Sequence, residues 1–224
     1  MRVVSLVPSV TETLLAWGIE PVAVTRFCEH PELAAVGGTK DPDIAAIVTL
    51  APDLVVMDDE ENRRPDADAL RAAGVPIHVT HVRSVGDVAR VIGALADAVG
   101  VRADSGLVLP PPPPTVCRAF VPIWRRPWMT LNADTYGASV LRVIGIETVY
   151  ADHPDRYPTV TLDEVVAQHP DLVLAPSEPY PFRERHLPEL REVAPDARLV
   201  DGQDLFWWGA RTAAALTRLA VAFG

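Results

Sequence analysis

The strand-like segment Pro52-Asp53-Leu54-Val55-Val56 returns as Pro170-Asp171-Leu172-Val173-Leu174, 118 residues further along the chain. That repeat constrains the chain to two similar halves. Behind each copy stands an amphipathic helix, predicted over 43–50 and 162–168, with Ile44, Ile47 and Val48 on one apolar face and Leu162, Val165 and Val166 on the other. Asp41 and Pro42 supply a cap and a first-turn proline for the first helix, and Thr161 with Glu164 supplies a capping box for the second. Other pieces keep step: the apolar runs 3–7 and 119–123 read as opening strands. Gly18-Ile19-Glu20 before the strand 22–24 matches Gly145-Ile146-Glu147 before 149–150, each glycine ending a helix where positive φ is wanted. The strand at 77–79 precedes a helix over 85–98, as 199–200 precedes one over 210–221. Each half reads β-α-β-α-β-α, which implies a parallel sheet faced by helices. The expected fold is α/β, with two Rossmann-like lobes related by the repeat.

Five consecutive prolines, Pro110-Pro111-Pro112-Pro113-Pro114, mark the boundary. Proline lacks the backbone donor and fixes φ, so this tract forms neither an α-helix nor an interior strand. As polyproline II it spans about 15 Å at ~3.1 Å per residue. The predicted organisation is an N-terminal lobe over 1–106, a linker over 107–116 and a C-terminal lobe over 117–224. At 49% hydrophobic the composition is that of a folded chain rather than a disordered one. A formal charge of −10, with basic residues only in short clusters such as Arg63-Arg64 and Arg125-Arg126, argues against nucleic acid. No apolar run approaches the ~20 residues that span a bilayer. Arg2 runs at once into a strand-like Val3-Val4-Ser5-Leu6-Val7, and Pro8, Ser9, Thr11 and Glu12 interrupt any secretory apolar core. The expected location is the cytoplasm, with which the two cysteines, Cys28 and Cys117, agree.

In parallel α/β sheets ligands bind outside the carboxyl ends of the strands, so the loops there carry the candidates. Ser9 and Glu12 have capping-box spacing, which makes a helix start that points its positive end at a ligand, or a helix start and nothing more. In Arg26-Phe27-Cys28-Glu29-His30, a thiol and an imidazole two residues apart suit a soft or borderline metal, although zinc wants a third or fourth ligand. The bland alternative is a packed Cys28 and a surface His30. Gly37-Gly38-Thr39-Lys40 permits close backbone approach without the glycine spacing of a P-loop. The run from Asp58 through Glu60, Glu61, Asn62 and Arg63 to Arg64 is a solvated face or a helix start, or else a binding loop; Glu60 maps by the 118-residue offset onto Glu178. The second half concentrates aromatics in its strand-end loops: Trp124 and Trp128, Tyr136, Tyr180 and Phe182, then Phe206, Trp207 and Trp208 beside Arg211. Carried on loops and paired with charge, these rings read as stacking walls for a flat or bulky ligand rather than as core.

These same residues carry a family resemblance. The opening Val3-Val4-Ser5-Leu6-Val7-Pro8-Ser9-Val10-Thr11-Glu12, the Pro-Asp-Leu-Val-Val strand and the closing Trp207-Trp208-Gly209-Ala210-Arg211 resemble the helical-backbone metal receptors. These are the solute-binding proteins that capture vitamin B12 and ferric siderophores for ABC transporters. Phe27-Cys28-Glu29-His30-Pro31, Glu60-Glu61-Asn62-Arg63 and Ser177-Glu178-Pro179-Tyr180-Pro181-Phe182 resemble a bacterial subgroup labelled cobalamin-binding. The resemblance implies that loops at Cys28, Lys40, Glu60, Trp124, Glu178 and Trp207 face a cleft between the lobes. The implied ligand is a bulky small molecule, a corrinoid in the first instance, with Cys28 or His30 reaching a metal. That family joins its lobes by one long helix; here the helix ending near residue 98 runs into the proline tract, a shortened connection. A transporter partner does not follow, because the family's exported members carry a signal peptide and none is read here. The alternative function is a metal- or Cys-dependent enzyme on the same scaffold, with Cys28, His30, Glu60 and Glu178 as its acid/base or metal groups.

Overall fold

The structure is a computed structural model that describes residues 1–103, 106–109, 111 and 113–223. The polyproline expectation rests in part on Pro110 and Pro112, which lie outside the described residues. The described residues divide into two compact units: Met1–Val82 with Asp87–Leu107 and Trp208–Ala210, and Arg83–Gly86 with Val108–Trp207 and Arg211–Gly224.

The first unit holds strands β1 (Val3–Ser5), β2 (Ala23–Val24), β3 (Leu54–Asp58) and β4 (Ile77–Thr80) in the order β2-β1-β3-β4, all parallel. Every residue of β1 and β3 is buried, as continuous apolar runs covered on both faces must be. Helices α1 (Pro8–Ala16), α2 (Ile44–Thr49), α3 (Arg64–Ala72) and α4 (Val85–Val99) connect and follow them. The core gathers Val4, Leu6, Ala23, Ile47, Val55, Met57 and Leu70.

Two cap assignments differ from the sequence reading. In α1 the cap position is Val7 and Pro8 takes the first turn, so Ser9 lies inside the helix and the Ser9/Glu12 capping box is not used. In α2 the cap is Asp43, whose Oδ1 accepts the Ala46 N–H at 2.9 Å; Asp41 is instead engaged by Arg26. Helix α3 starts at Arg64, where the charge run ends, in keeping with the helix-start reading of that run. Asp66 in its first turn and Arg71 in its last complement the helix dipole, and Ala67 and Leu70 turn inward.

The second unit repeats the plan. Strands β5 (Cys117–Phe120), β7 (Ile146–Thr148), β9 (Leu172–Pro176) and β10 (Ala197–Val200) form a parallel sheet in the order β10-β9-β5-β7. Read from the other edge, this is again second, first, third, fourth. A short antiparallel pair, β6 (Trp128–Met129) with β8 (Thr159–Val160), forms a separate two-stranded sheet. Helices α5 (Tyr136–Val143), α6 (Leu162–Ala167), α7 (Leu187–Leu190), α8 (Gly202–Phe206) and α9 (Thr212–Phe223) complete the unit, whose core includes Phe120, Val165, Val173, Ala175, Leu187 and Leu190. The Thr161–Glu164 capping box forms as read, while β7 starts directly after Gly145 instead of at residue 149.

The repeat extends to individual hydrogen bonds. Asp53 accepts the Arg2 N–H and returns its own N–H to the Arg2 carbonyl, while the Arg2 guanidinium donates to the Leu50 carbonyl. Asp171 and Arg118 make the same two backbone bonds, and Arg118 donates to the Gln168 carbonyl. Between helix and strand the chain passes through positive φ both times, at Ala51 (44°) and His169 (52°). Gly18 and Gly145 likewise take positive φ at matching helix ends, 74° and 82°. No helix among the described residues is long and apolar enough to cross a membrane.

Candidate functional site

In the first unit, the loops after β1, β2 and β3 are drawn together by one buried side chain. Asn62 donates through Nδ2 to the Leu6 carbonyl at 3.1 Å and the Thr39 carbonyl at 2.9 Å, and its Oδ1 accepts the Asp58 N–H at 2.8 Å. Lys40 adds a second tie by donating to the Glu60 carbonyl. Asp58 closes β3 with a buried carboxylate that accepts from the Thr80 hydroxyl at 2.7 Å and the Glu60 N–H at 2.9 Å. Burial lifts the Asp58 pKa above the ordinary aspartate value, against the pull of those donors. Glu61 is exposed by surface area, yet the protein packed around its carboxyl and the Asp58 charge raise its pKa too, opposed by Lys40.

The Cys28 thiol sits half-buried among hydroxyls, 3.3 Å from Thr11 Oγ1 and 3.5 Å from Thr25 Oγ1, and Thr11 passes the chain on to Ser5 at 2.9 Å. His30 turns to Glu32 at 2.9 Å. Among the described residues no three His, Cys, Asp or Glu side chains gather to hold a metal ion. The Cys28/His30 metal site expected from their spacing is therefore not assembled: two residues apart in sequence, each side chain has found its own neighbour. Arg26 pairs with Asp41 at 2.9 Å and lies over the exposed Phe27 ring at 4.9 Å.

The second unit brings its aromatics together at the ends of β5 and β9. The chain after β5 turns back on itself: the Ile123 N–H donates to the Met129 carbonyl, the Met129 N–H donates to the Trp124 carbonyl, and the Arg126-Pro127 bond between them is cis. Trp124 remains 44% exposed and meets Tyr180 edge-on, centroids 5.7 Å apart. Tyr180 in turn packs on Phe182 at 4.7 Å and His186 at 5.7 Å, and Trp128 stacks on Phe182 at 6.0 Å. Arg125 binds Glu189 at 2.7 Å and lies over Trp128 at 5.8 Å. The Glu189 hydrogen bond raises its already high pKa. His186 is buried, and its Nδ1 accepts the Arg183 N–H at 3.0 Å. Its Nε2 accepts from the Arg185 guanidinium at 3.2 Å, and burial, then the charges of Arg185 and Arg125, hold it below the usual histidine pKa.

The β9 and β10 loops meet at Gly202, whose N–H donates to Ser177 Oγ at 2.9 Å. A Cβ on Gly202 would lie 2.6 Å from the Glu178 nitrogen, so only glycine lets Glu178 pass this close. Beyond α8, Arg211 lies over the half-buried Trp207 ring at 5.2 Å and approaches the buried Asp204 at 3.5 Å. Arg218 grips Asp204 with two 2.6 Å bonds and holds its carboxyl below the usual range. Phe206 packs over Gly137, where an added Cβ would come within 2.6 Å of its ring.

Four expected ligand contacts prove to be interior side chains. Phe182, Trp208 and Tyr136 are only 3%, 5% and 6% exposed, and Ser9 only 5%. Tyr136 hydrogen-bonds Thr212 at 3.1 Å, and burial pushes its pKa up to about 12. The expected walls of a site are here interior: Phe182 packs in the second unit's core and Tyr136 opens α5. Asn62, also expected to touch ligand, is spent on backbone. Sequence reasoning missed Glu189 and His186, which lie far along the chain from Arg125 and Trp124. Asp58 entered that reading only as the head of the charge run; its buried role is signalled by its place as the last residue of an otherwise apolar strand.

No family model matches the chain. By sequence, the vitamin B12-binding protein of Vibrio parahaemolyticus is 25% identical over 190 residues, covering 77% of this chain and 69% of its own length. That of Vibrio cholerae is 26% identical over 190 residues, covering 77% and 69%. By structure, the periplasmic vitamin B12-binding protein BtuF of Vibrio cholerae superposes with a TM-score of 0.77 at 20% identity, covering 98% of this chain and 95% of its own. The periplasmic heme-binding protein HutB of Vibrio cholerae gives 0.78 at 19% identity, covering 99% and 98%. These relatives overturn the cytoplasmic expectation, since the solved ones are periplasmic. That expectation leaned on Val3–Ser5 being a strand, which it is, but a strand near the start of a sequence does not fix a compartment. By sequence the chain is similar to vitamin B12-binding proteins, by fold to two-lobed periplasmic proteins of the vitamin B12- and heme-binding kind, and its resemblance to the helical-backbone metal receptors holds.

Proposed function

We propose that the chain is a solute-binding protein for a bulky, conjugated ring that brings its own metal, with a corrinoid as first choice and heme as second. The observation that carries this reading is Trp124. An indole that keeps 44% of its surface exposed at a strand end, braced edge-on by Tyr180, is an apolar face held ready for a partner. Glu178, Trp207 and Arg211 belong to the neighbouring loops of the same unit and supply polar and stacking groups. In the first unit Arg26, Cys28, Lys40, Glu60 and Glu61 are the groups offered for amide, carboxylate or hydroxyl substituents. The gathered donors suit a ligand that arrives with its metal coordinated better than a bare ion. With the cytoplasmic expectation overturned, the ground for setting aside a transporter partner falls with it, and handing the ligand to an ABC transporter belongs to this proposal.

The test is titration of the purified protein with cyanocobalamin and, separately, with hemin, followed by absorption and tryptophan fluorescence. Saturable one-to-one uptake of either, weakened about three- to tenfold in Trp124→Ala, is expected from a stacking contact of about 0.5–1.5 kcal/mol. Uptake of neither, or uptake indifferent to Trp124, would overturn the reading.

A further inference from the structure

The first unit's candidate residues sit on separate loops, and something must hold those loops in register before a ligand arrives. We infer that Asn62 is the positioning residue of this unit, a latch that fixes the loop of Lys40 against the loop of Glu60 and Glu61. The inference rests on the proposed function for its consequence, although not for its geometry.

Asn62 is 6% exposed, so its amide is removed from solvent and must be answered by protein. Three bonds answer it, each to a different strand end: the Leu6 carbonyl past β1, the Thr39 carbonyl in the loop past β2, and the Asp58 N–H at the end of β3. Its own N–H donates to the Asp58 carbonyl at 2.9 Å, which closes the β3 loop around it. No other residue type of this size offers two donors and one acceptor from a single planar group. Thr39 and Lys40 are adjacent in the chain. The Asn62–Thr39 bond therefore sets where Lys40 begins, and the Lys40 bond to the Glu60 carbonyl sets where it ends. Asp58 carries the registration on to β4 through Thr80. A buried side chain whose two donors and acceptor oxygen are all engaged by backbone is a positioning group; it acts through Lys40, Glu60 and Glu61. Preorganised loops are what a binder uses to avoid ordering them at the moment of binding.

The test begins without ligand. Hydrogen–deuterium exchange is compared between the wild type and Asn62→Asp, which keeps the shape and the acceptor but removes both donors. Expected is about tenfold faster exchange confined to residues 37–41 and 59–62, with Val55, Val56 and Met57 in β3 unchanged. Cyanocobalamin and hemin are then titrated into both proteins; whichever the wild type binds should bind the variant about tenfold more weakly, with a shifted absorption band for the bound probe. A structural residue alone would lower Tm without moving that band. Should Asn62→Asp fail to fold, Lys40→Met, a change on the same loop, must show the same local acceleration at 37–41. Unchanged exchange in those loops overturns the latch, as does accelerated exchange with unchanged affinity and spectrum. If the wild type takes up neither probe, the proposed function fails by itself, and exchange alone decides whether Asn62 is the latch.

Discussion

Gly202→Ala adds one methyl group at the start of α8, and the structure says where that methyl must go. It would stand 2.6 Å from the Glu178 nitrogen and 2.9 Å from the Glu178 carbonyl oxygen. Ordinary carbon contacts begin near 3.4 Å, so β9's loop or α8 must yield by roughly 0.5–1 Å, and backbone yields less readily than a side-chain tip. Overpacking of this kind costs about 1–3 kcal/mol. Against it stands the gain of about 0.5–1 kcal/mol that alanine brings to a helical position. The net expectation is a loss of about 1–2 kcal/mol, or a Tm lower by roughly 3–6 °C for a chain of this size. Gly93→Ala in the middle of α4 is the matched control, because nothing lies within 4 Å of its added Cβ. There the helix gain stands alone, and Tm should rise by about 1–4 °C. Thermal denaturation of the two variants in one buffer decides the matter. Equal shifts, or a rise for Gly202→Ala, would refute the claim that glycine is required for the close passage of Glu178.

Two carboxylates make opposite predictions about pH. The pKa of Asp204 is depressed by its Arg218 bonds, so its contribution is present above the unfolded value of 3.8 and lost as pH falls through the lower folded value. Asp204→Asn should cost about 1–3 kcal/mol near neutrality, and the gap to the wild type should close in acid, measured as Tm against pH. Asp58 is raised by burial, so its contribution is fully present below 3.8 and lost as pH rises through the folded value. Asp58→Asn keeps an acceptor for the Glu60 N–H and should equal or exceed the wild type in Tm at pH 7 while losing that part of the pH slope; a lower Tm at pH 7 with an unaltered slope would count against it.

Where periodicity and repetition speak, the chain was legible. The alternation of apolar strands and amphipathic helices announced parallel sheets, and the repeated Pro-Asp-Leu-Val announced two of them, because both signals are local and each half carries its own copy. Helix α3 has no clean apolar stripe, since Asp66 is buried beside Ala67 and Leu70 while Arg64, Asp68 and Arg71 lie outside, so periodicity alone does not bound it. The site was less legible for a different reason. Whether Phe182, Tyr136 or Trp208 faces solvent or core depends on how its loop folds back, and nothing in the spacing of neighbours encodes that. Partnerships such as Arg125 with Glu189, 64 residues apart, have no local trace at all.

The two units also show which parts of a duplicated scaffold are held and which are free. The Arg2–Asp53 and Arg118–Asp171 pairs sit where β1 and β5 begin, at the opposite end of the sheet from the loops that carry the candidate site, and they are the same bond for bond. They fix the register of the first and third strands of each sheet, which every other strand order depends on. At the carboxyl ends the two units share almost nothing: one ends its third strand in a buried aspartate and an asparagine latch, the other in a cis-proline loop packed with aromatic rings. A sheet pinned at one end tolerates change at the other, since a new loop there has only to satisfy its own backbone and not the strand register. Each unit could therefore acquire a different surface chemistry, polar and charged in the first and aromatic in the second, without disturbing the fold that presents it.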